Sequence, residues 1–304
     1  MVKPSIFIST SSFAEHDKLP LKLLNDAGMN VQVNPYKRQL TKDECLNHYK
    51  DIDGLIAGTE ALTAEVLKSA QKLKVISRVG VGLDNVDMEA AKKRGIKVFN
   101  TPGAPTLAVA ELTLGLILAL LRHIPRGDRE IRAGKWQKRM GNLLQGKKVG
   151  IIGFGRIGEK VGELVQALGA EVVYCDPAVN KTGYKKLSLD ELLTQSDIVT
   201  LHLSGGGKDN PLLGEKELRR MKQGSCLINC ARGGIVDEEA LSKVLQERWL
   251  AGAALDVFSQ EPYTGPLTKL DNVILTPHIG SYAIESRVEI EVEAVKNLIK
   301  GLKG

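Results

Sequence analysis

KKVGIIGFGRIG, residues Lys147–Gly158, runs a β-rich apolar stretch straight into the pattern glycine-x-glycine-x-x-glycine. The amphipathic run Arg156–Leu168 that follows reads as a helix and Glu171–Cys175 as the next strand. Asp176 closes that strand, eighteen residues after Gly158. Three glycines alone are a weak signal; strand before, helix after and acid at the next strand end make it specific. Gly153 permits the tight turn, Gly155 lets the backbone approach a pyrophosphate, and Gly158 allows close helix–strand packing. Arg156 and Ile157 open the helix, whose free N–H groups and positive dipole end suit phosphates. A carboxylate at Asp176 accepts ribose hydroxyls and repels a 2′-phosphate, so NAD is expected over NADP.

Working outward, strands are expected at Val149–Ile152, Glu171–Cys175, Ile198–Leu201, Cys226–Asn229, Ala251–Leu255 and near Val273–Leu275, six parallel strands in all. Helices fall between them at Leu189–Gln195, Glu215–Met221 and Glu238–Gln246, with a last amphipathic helix over Ala283–Ile299. Such alternation is the pattern of a parallel sheet with helical crossovers. The first hundred residues repeat it: strands at Ile6–Ser9, Val31–Val33, Gly54–Ala57, Val75–Ser77 and Lys97–Phe99, helices at Leu19–Ala27, Ala64–Ala70 and Met88–Arg94. Asn100-Thr101-Pro102-Gly103-Ala104-Pro105 interrupts the series, and a long apolar helix begins after Pro105.

With 304 residues the chain has room for two domains, and 43% hydrophobic with 26% charged residues is globular composition. No signal-peptide pattern opens it. The longest apolar stretch, Leu107–Leu121, contains Glu111 and falls short of the ~20 residues a membrane span needs, so it reads as a buried helix. Cys45, Cys175, Cys226 and Cys230 show no zinc-ligand spacing; free thiols in the cytoplasm and no metal site are expected. The net charge of +6 owes much to Arg122, Arg126, Arg129 and Arg132, whose helical spacing predicts one positive stripe. No reader motif or interleaved aromatic residue accompanies them, so nucleic acid is not the expected partner. A solvated face or a subunit interface is, with a field that attracts anionic substrates as a third option.

Hydride transfer to a 2-keto acid needs a cation for the carboxylate, a proton donor for the carbonyl oxygen and a group that tunes the donor. Arginine supplies a planar fork, histidine an exchangeable proton, and a carboxylate orients the imidazole and favours its charged form. Arg232, Glu261 and His278 follow three successive expected strands, on the edge where ligands bind in such sheets. A second glycine pattern, Val75–Asp84, lacks the third glycine (position 85 is Asn) and a long helix; its N–H groups suit a small anion.

RVGVGLDNVD (78–87), NTPG (100–103), AEL (110–112), NCARGGIVD (229–237), ALDVFSQEP (254–262) and TPHIG (276–280) join the glycine loop in a resemblance that covers nearly the whole chain. It resembles the D-isomer-specific 2-hydroxyacid dehydrogenases, most closely their phosphoglycerate dehydrogenase branch in a short form without a regulatory domain. The resemblance implies an α/β fold of two doubly wound parallel-sheet domains. The larger, a Rossmann dinucleotide-binding domain at 99–282, is inserted into a flavodoxin-like substrate domain of 1–98 plus 283–304. It implies that Arg232 binds the substrate carboxylate and that His278, paired with Glu261, is the acid–base group. Asp256 and the backbone of Cys230 should hold the nicotinamide carboxamide, with His202, Ala231 and Gly280 also at the cofactor. Val79 and Gly80 should offer N–H groups to the substrate beside Arg78, and a homodimer should form on the helix after Pro105.

The implied reaction joins D-3-phosphoglycerate and 3-phosphohydroxypyruvate, the serine-biosynthetic step; glyoxylate or hydroxypyruvate reduction is the alternative. Ala57 stands where the branch often has an arginine for the phosphate, and Arg78 with Lys138 and Arg139 of a neighbouring subunit are the candidate substitutes. Ser204-Gly205-Gly206-Gly207 after Leu203, and Ser281-Tyr282 after Gly280, are further departures. A non-catalytic NAD-sensing regulator of the same fold is the rival from another class, and the joint presence of Arg232, Glu261 and His278 favours an enzyme.

Overall fold

The computed structural model describes residues 3–180, 183–203 and 210–303; the Ser204–Gly207 departure lies outside them. Five short runs in the first third of the chain form β1 (Ser5–Ile8), β2 (Asn30–Val33), β3 (Gly54–Ala57), β4 (Val75–Arg78) and β5 (Lys97–Phe99). All pair in parallel in the order β2-β1-β3-β4-β5, the flavodoxin-like arrangement. The crossovers are α1 (Leu19–Asp26), α2 (Lys42–His48), α3 (Ala64–Ser69) and α4 (Met88–Lys93). Helix α2 was not expected. It has seven residues and buries only Cys45, so hydrophobic period is barely visible; its signature is the capping box of Thr41 and Glu44.

The C-terminal helix, Ile284–Lys303, belongs to this unit, which comprises Met1–Pro105 and Ser281–Gly304. It buries Ile290, Ala294, Val295 and Leu298 against Ile6, Ile8, Ile56 and Val75. Close approach fixes two glycines: a Cβ on Gly54 would lie 2.9 Å from Leu298 Cδ1, and one on Gly301 2.8 Å from Val75 Cγ1.

The second unit is Thr106–Gly280, so the chain crosses at 105/106 and 280/281, against the expected 98/99 and 282/283. The NTPG turn and Pro105 stay with the first unit, where Thr101 is fully buried and Ala104 packs against Ile8 and Val79. The unit begins with α5 (Thr106–Leu121) and α6 (Ile124–Arg132). Then come β6 (Lys148–Ile152), α7 (Arg156–Ala167), β7 (Glu171–Cys175), β8 (Lys185–Lys186), α8 (Leu189–Gln195) and β9 (Ile198–Leu201). α9 (Glu215–Arg220), β10 (Cys226–Asn229), α10 (Glu238–Gln246), β11 (Gly252–Leu255) and β12 (Val273–Leu275) complete it. The order β12-β11-β10-β9-β6-β7-β8 is the dinucleotide-binding order extended by one strand. Seven strands rather than six are present because the two exposed lysines of β8 form an edge with no apolar run to read.

Helix α5 is apolar apart from Thr106, Glu111 and Thr113, and buries Ala110, Leu116, Ile117 and Leu120 in the core beneath the sheet. The arginines after it do not make one stripe. Arg122 precedes a break at His123, whose φ is 53°, Arg126 pairs with Asp271 and Glu130, and Arg132 pairs with Asp128. No single helix among the described residues is long and apolar enough to cross a membrane.

Candidate active site

The strand order of the second unit reverses between β6 and β9, and ligands of such sheets bind outside the strand ends at that point. Gly153 leaves β6 with φ 87° and donates its N–H to Cys175 O at 2.9 Å. A Cβ there would lie 2.5 Å from His202 O, at the end of β9. One on Gly158 would lie 2.1 Å from Gly153 O, whereas one on Gly155 would meet nothing within 4 Å. The loop is therefore packed on its sheet side and open above Gly155. Gly155 caps α7 with no side-chain acceptor for the first N–H groups, and Arg156 is exposed beside them. These are the features a pyrophosphate needs, and the loop fits one.

Asp176 is tied to this loop. Its Oδ2 accepts the Phe154 N–H at 2.8 Å, and its Oδ1 accepts those of Ala178 and Val179 at 2.8 and 3.2 Å. A carboxylate has about four acceptor positions, so capacity remains for a further donor. On β9, Thr200 Oγ1 lies 2.9 Å from His202 Nε2; burial holds this imidazole down at about 3, so it is neutral. Its Nδ1 is buried with no partner among the described residues.

Strands β10, β11 and β12 are neighbours, with Asn229 opposite Leu255 and Leu255 opposite Leu275. Arg232, Glu261 and His278 thus leave adjacent strands at one edge of the sheet. Asn229 shapes the first turn: its Oδ1 accepts Ala231 N–H at 3.1 Å and its Nδ2 donates to Arg232 O at 3.1 Å. The half-buried Arg232 donates from Nη1 to Ala231 O at 2.8 Å. A Cβ on Gly233 would sit 1.8 Å from Phe258 O, so this turn lies flat on the loop after β11.

That loop brings Glu261 to His278. Glu261 Oε1 accepts Phe258 N–H at 3.1 Å, and Oε2 is 2.9 Å from His278 Nδ1. With Nδ1 held by the carboxylate, Nε2 is the ring nitrogen left for a proton exchanged with a substrate. A cavity of about 590 Å³ adjoins the pair, walled by Phe258, Tyr263, Leu275 and Pro277. His278 itself has φ 55°, a conformation non-glycine residues rarely hold without support. Asp256 gives that support. Only 1% exposed, it accepts Thr276 Oγ1–H at 2.6 Å and Ile279 N–H at 2.8 Å on Oδ1, and Gly280 N–H at 2.8 Å on Oδ2.

Residues 114–280 match the family described as "D-isomer specific 2-hydroxyacid dehydrogenase, NAD binding domain", more than half of the chain. The chain belongs to that family. It is a D-2-hydroxyacid dehydrogenase, an oxidoreductase that uses NAD and acts on CH–OH donors. A glyoxylate reductase of Thermofilum pendens is 44% identical over 87% of this chain and 82% of its own length. A D-3-phosphoglycerate dehydrogenase of Methanocaldococcus jannaschii is 40% identical over 92% of this chain, which spans only 55% of that relative. The crystal structure of the TT0316 protein from Thermus thermophilus superposes with a TM-score of 0.92 at 39% identity, covering 99% of this chain and 97% of that one.

In the dehydrogenase's first unit the expected donors are engaged within the unit. Val79 N–H donates to Ala57 O at 2.9 Å, and Gly80 N–H to Thr101 Oγ1 at 2.9 Å and Arg78 O at 3.0 Å. Arg78 folds over the same loop, donating from Nη1 to Val79 O at 2.5 Å and from Nε to Asn85 Oδ1 at 3.3 Å. Arg139, in the second unit, is held by Glu130 of its own chain. The Cys230 thiol is pushed up to about 12 by burial and is chemically inert at neutral pH. Sequence reasoning did not single out Asn229, Thr276 or Thr101. The signal for the first two was a polar residue at the mouth of a buried strand.

Proposed function

We propose that this dehydrogenase reduces a short, unphosphorylated 2-keto acid of the glyoxylate or hydroxypyruvate type to its D-2-hydroxy acid. The observation that carries the reading is the fate of the cations a phosphate would need. Ala57 is fully buried at the end of β3, Arg78 is bound to its own loop and Arg139 to Glu130, which leaves the exposed Lys138 alone among the candidates named above. The near-full-length similarity to a glyoxylate reductase adds to it.

NAD, when bound, supplies or takes up the hydride at the substrate's C2. Arg232 holds the carboxylate in its fork, which fixes the faces of C2. His278 Nε2 gives its proton to the carbonyl oxygen in reduction and takes the hydroxyl proton in oxidation, while Glu261 keeps Nδ1 in place. The glycine loop with Arg156 and Ile157 receives the phosphates, and Asp176 receives the adenosine ribose and disfavours NADP. Cys230, Ala231, Asp256, Gly280 and His202 serve the nicotinamide in this reading, and Arg78, Val79 and Gly80 serve the substrate. The first unit acts as the substrate domain and the second as the cofactor domain. The protein works as a cytoplasmic homodimer: the four thiols are free, and exposed Leu107, Ile124, Ile131, Trp136 and Met140 cluster on and after α5.

A second reading, oxidation of D-3-phosphoglycerate, is supported by the 40% identity to the M. jannaschii enzyme. Steady-state rates with glyoxylate, hydroxypyruvate and 3-phosphohydroxypyruvate, followed at the NADH band, decide between them. A kcat/KM highest on the phosphorylated acid overturns the first reading. Loss of selectivity for that acid in Arg78→Ala would then show which cation serves it.

A further inference from the structure

At the opposite end of the second unit's sheet from Gly153 and His278, the starts of β6, β9, β10, β11 and β12 enclose a cavity of about 160 Å³, closed by the end of α5 and by α6. Four side chains that carry positive charge line it, Arg126, Arg129, Lys147 and Arg248, against two carboxylates, Asp197 and Asp271. Both carboxylates are already supplied. Asp271 is shared by Arg126 Nη1 at 2.8 Å and Arg248 Nη2 at 3.1 Å. Asp197 accepts Lys148 N–H at 2.9 Å and is paired with Lys222 Nζ at 2.7 Å. Arg129 and Lys147 make no ion pair among the described residues, and although Asp197 feels the Lys147 charge, the four cations of the wall outnumber its two carboxylates. A concave, low-dielectric wall of one sign focuses its field and raises the local concentration of the opposite ion.

We propose that this cavity is a binding site for a compact phosphate-bearing anion, separate from the catalytic site and held chiefly by Arg129 and Lys147. The size sets the class: roughly 300–1,000 Å³ is usual for sites that take drug-sized ligands, so the occupant is a phosphate group, free or on a small ester, and not a nucleotide. Arginine and lysine together suit it, one as a directional fork and the other as a point charge. Arg129 stands on α6 and Lys147 at the start of β6, so the anion joins the helix to the sheet and stiffens the polypeptide that follows α5.

The test is calorimetric titration of the full-length protein with inorganic phosphate at constant ionic strength, with NADH fluorescence titration as the check on folding. Wild type is expected to bind phosphate saturably, and an Arg129→Gln/Lys147→Gln variant to bind it at least roughly tenfold more weakly with NADH affinity intact. A Lys147→Arg variant should retain binding, which guards against a folding artefact in the double variant. Arg232→Ala should leave it unchanged. Absence of saturable binding in wild type, an equal response in the double variant, or a response that disappears with Arg232→Ala each overturns the proposal. The last of these would place the phosphate at the catalytic site, an outcome distinct from any failure of the substrate assignment.

Discussion

Replacing Asp256 by Asn isolates what holds the turn of His278, the proposed acid–base group. Asp256 faces three donors with two oxygens, and an amide cannot satisfy them in either orientation. With Oδ1 toward Thr276 and Ile279, the NH₂ group meets Gly280 N–H. Flipped, it meets Ile279 N–H, because only the threonine hydroxyl can change from donor to acceptor. One backbone N–H therefore loses a charged acceptor at a site that is 1% exposed. A hydrogen bond to a charged group contributes about 1.5–3 kcal/mol, and a buried donor left facing another donor adds to the loss. The expected destabilisation is about 2–3 kcal/mol, which for a domain of this size lowers Tm by roughly 4–12 °C. Displacing the turn also displaces the imidazole, and a misplacement of ~1 Å can cost ~10²-fold in rate. We expect kcat to fall about 10–100-fold, with KM for the keto acid little changed because Arg232 hangs from a different strand. Thr276→Val is the control: it removes one bond to the same carboxylate, about 1.5–3 kcal/mol, but spares both backbone bonds that hold the turn, so kcat should stay near wild type. Thermal unfolding by circular dichroism and NADH-linked rates are the assays. An Asp256→Asn protein with wild-type Tm and turnover, or a Thr276→Val protein slower than it, would refute the reasoning.

Gly158→Ala puts a Cβ 2.1 Å from Gly153 O, so the glycine turn must open; NADH affinity measured by fluorescence should fall by roughly tenfold or more. Unchanged affinity would mean that the turn tolerates a side chain. Burial pushes Cys45 and Cys226 up to about 11 and Cys230 to about 12, so native protein should show at most one thiol, Cys175, to a disulfide reagent, and all four once unfolded. His202 titrates at about 3 when folded against an ordinary value of 6.5. As pH falls between those values the unfolded chain takes a proton that the folded chain refuses, so His202 lowers stability there and has no such effect above 6.5. The drop in Tm from about pH 7 to pH 4 should be smaller in His202→Gln, and an identical drop would exclude this residue as a source of acid sensitivity.

The parts of this molecule that sequence conveys are those whose cause is local. Strands such as Gly54–Ala57 are buried at every residue and read as unbroken apolar runs, whereas Lys185–Lys186 on the sheet edge carries no such mark. Arg232, Glu261 and His278 were legible for the same reason: each follows a recognisable strand by a few residues, and parallel pairing of β10, β11 and β12 brings their ends together. What holds those residues is not local. Asp256 reaches Ile279 and Gly280 across 23 and 24 residues, and Gly80 N–H is taken by a threonine 21 residues on. Both bonds follow from how neighbouring loops settle over the sheet, which no periodicity records. The two cases differ in consequence. The Asp256 bonds agree with the catalytic reading, because a carboxylate that fixes the turn leaves the imidazole one orientation toward its substrate. The Gly80 bond bears on the substrate role proposed for this loop. For this N–H to reach a substrate, both Thr101 Oγ1 and Arg78 O must release it, so under that reading the NTPG turn, outwardly only a crossing between domains, also sets how readily the loop offers a donor.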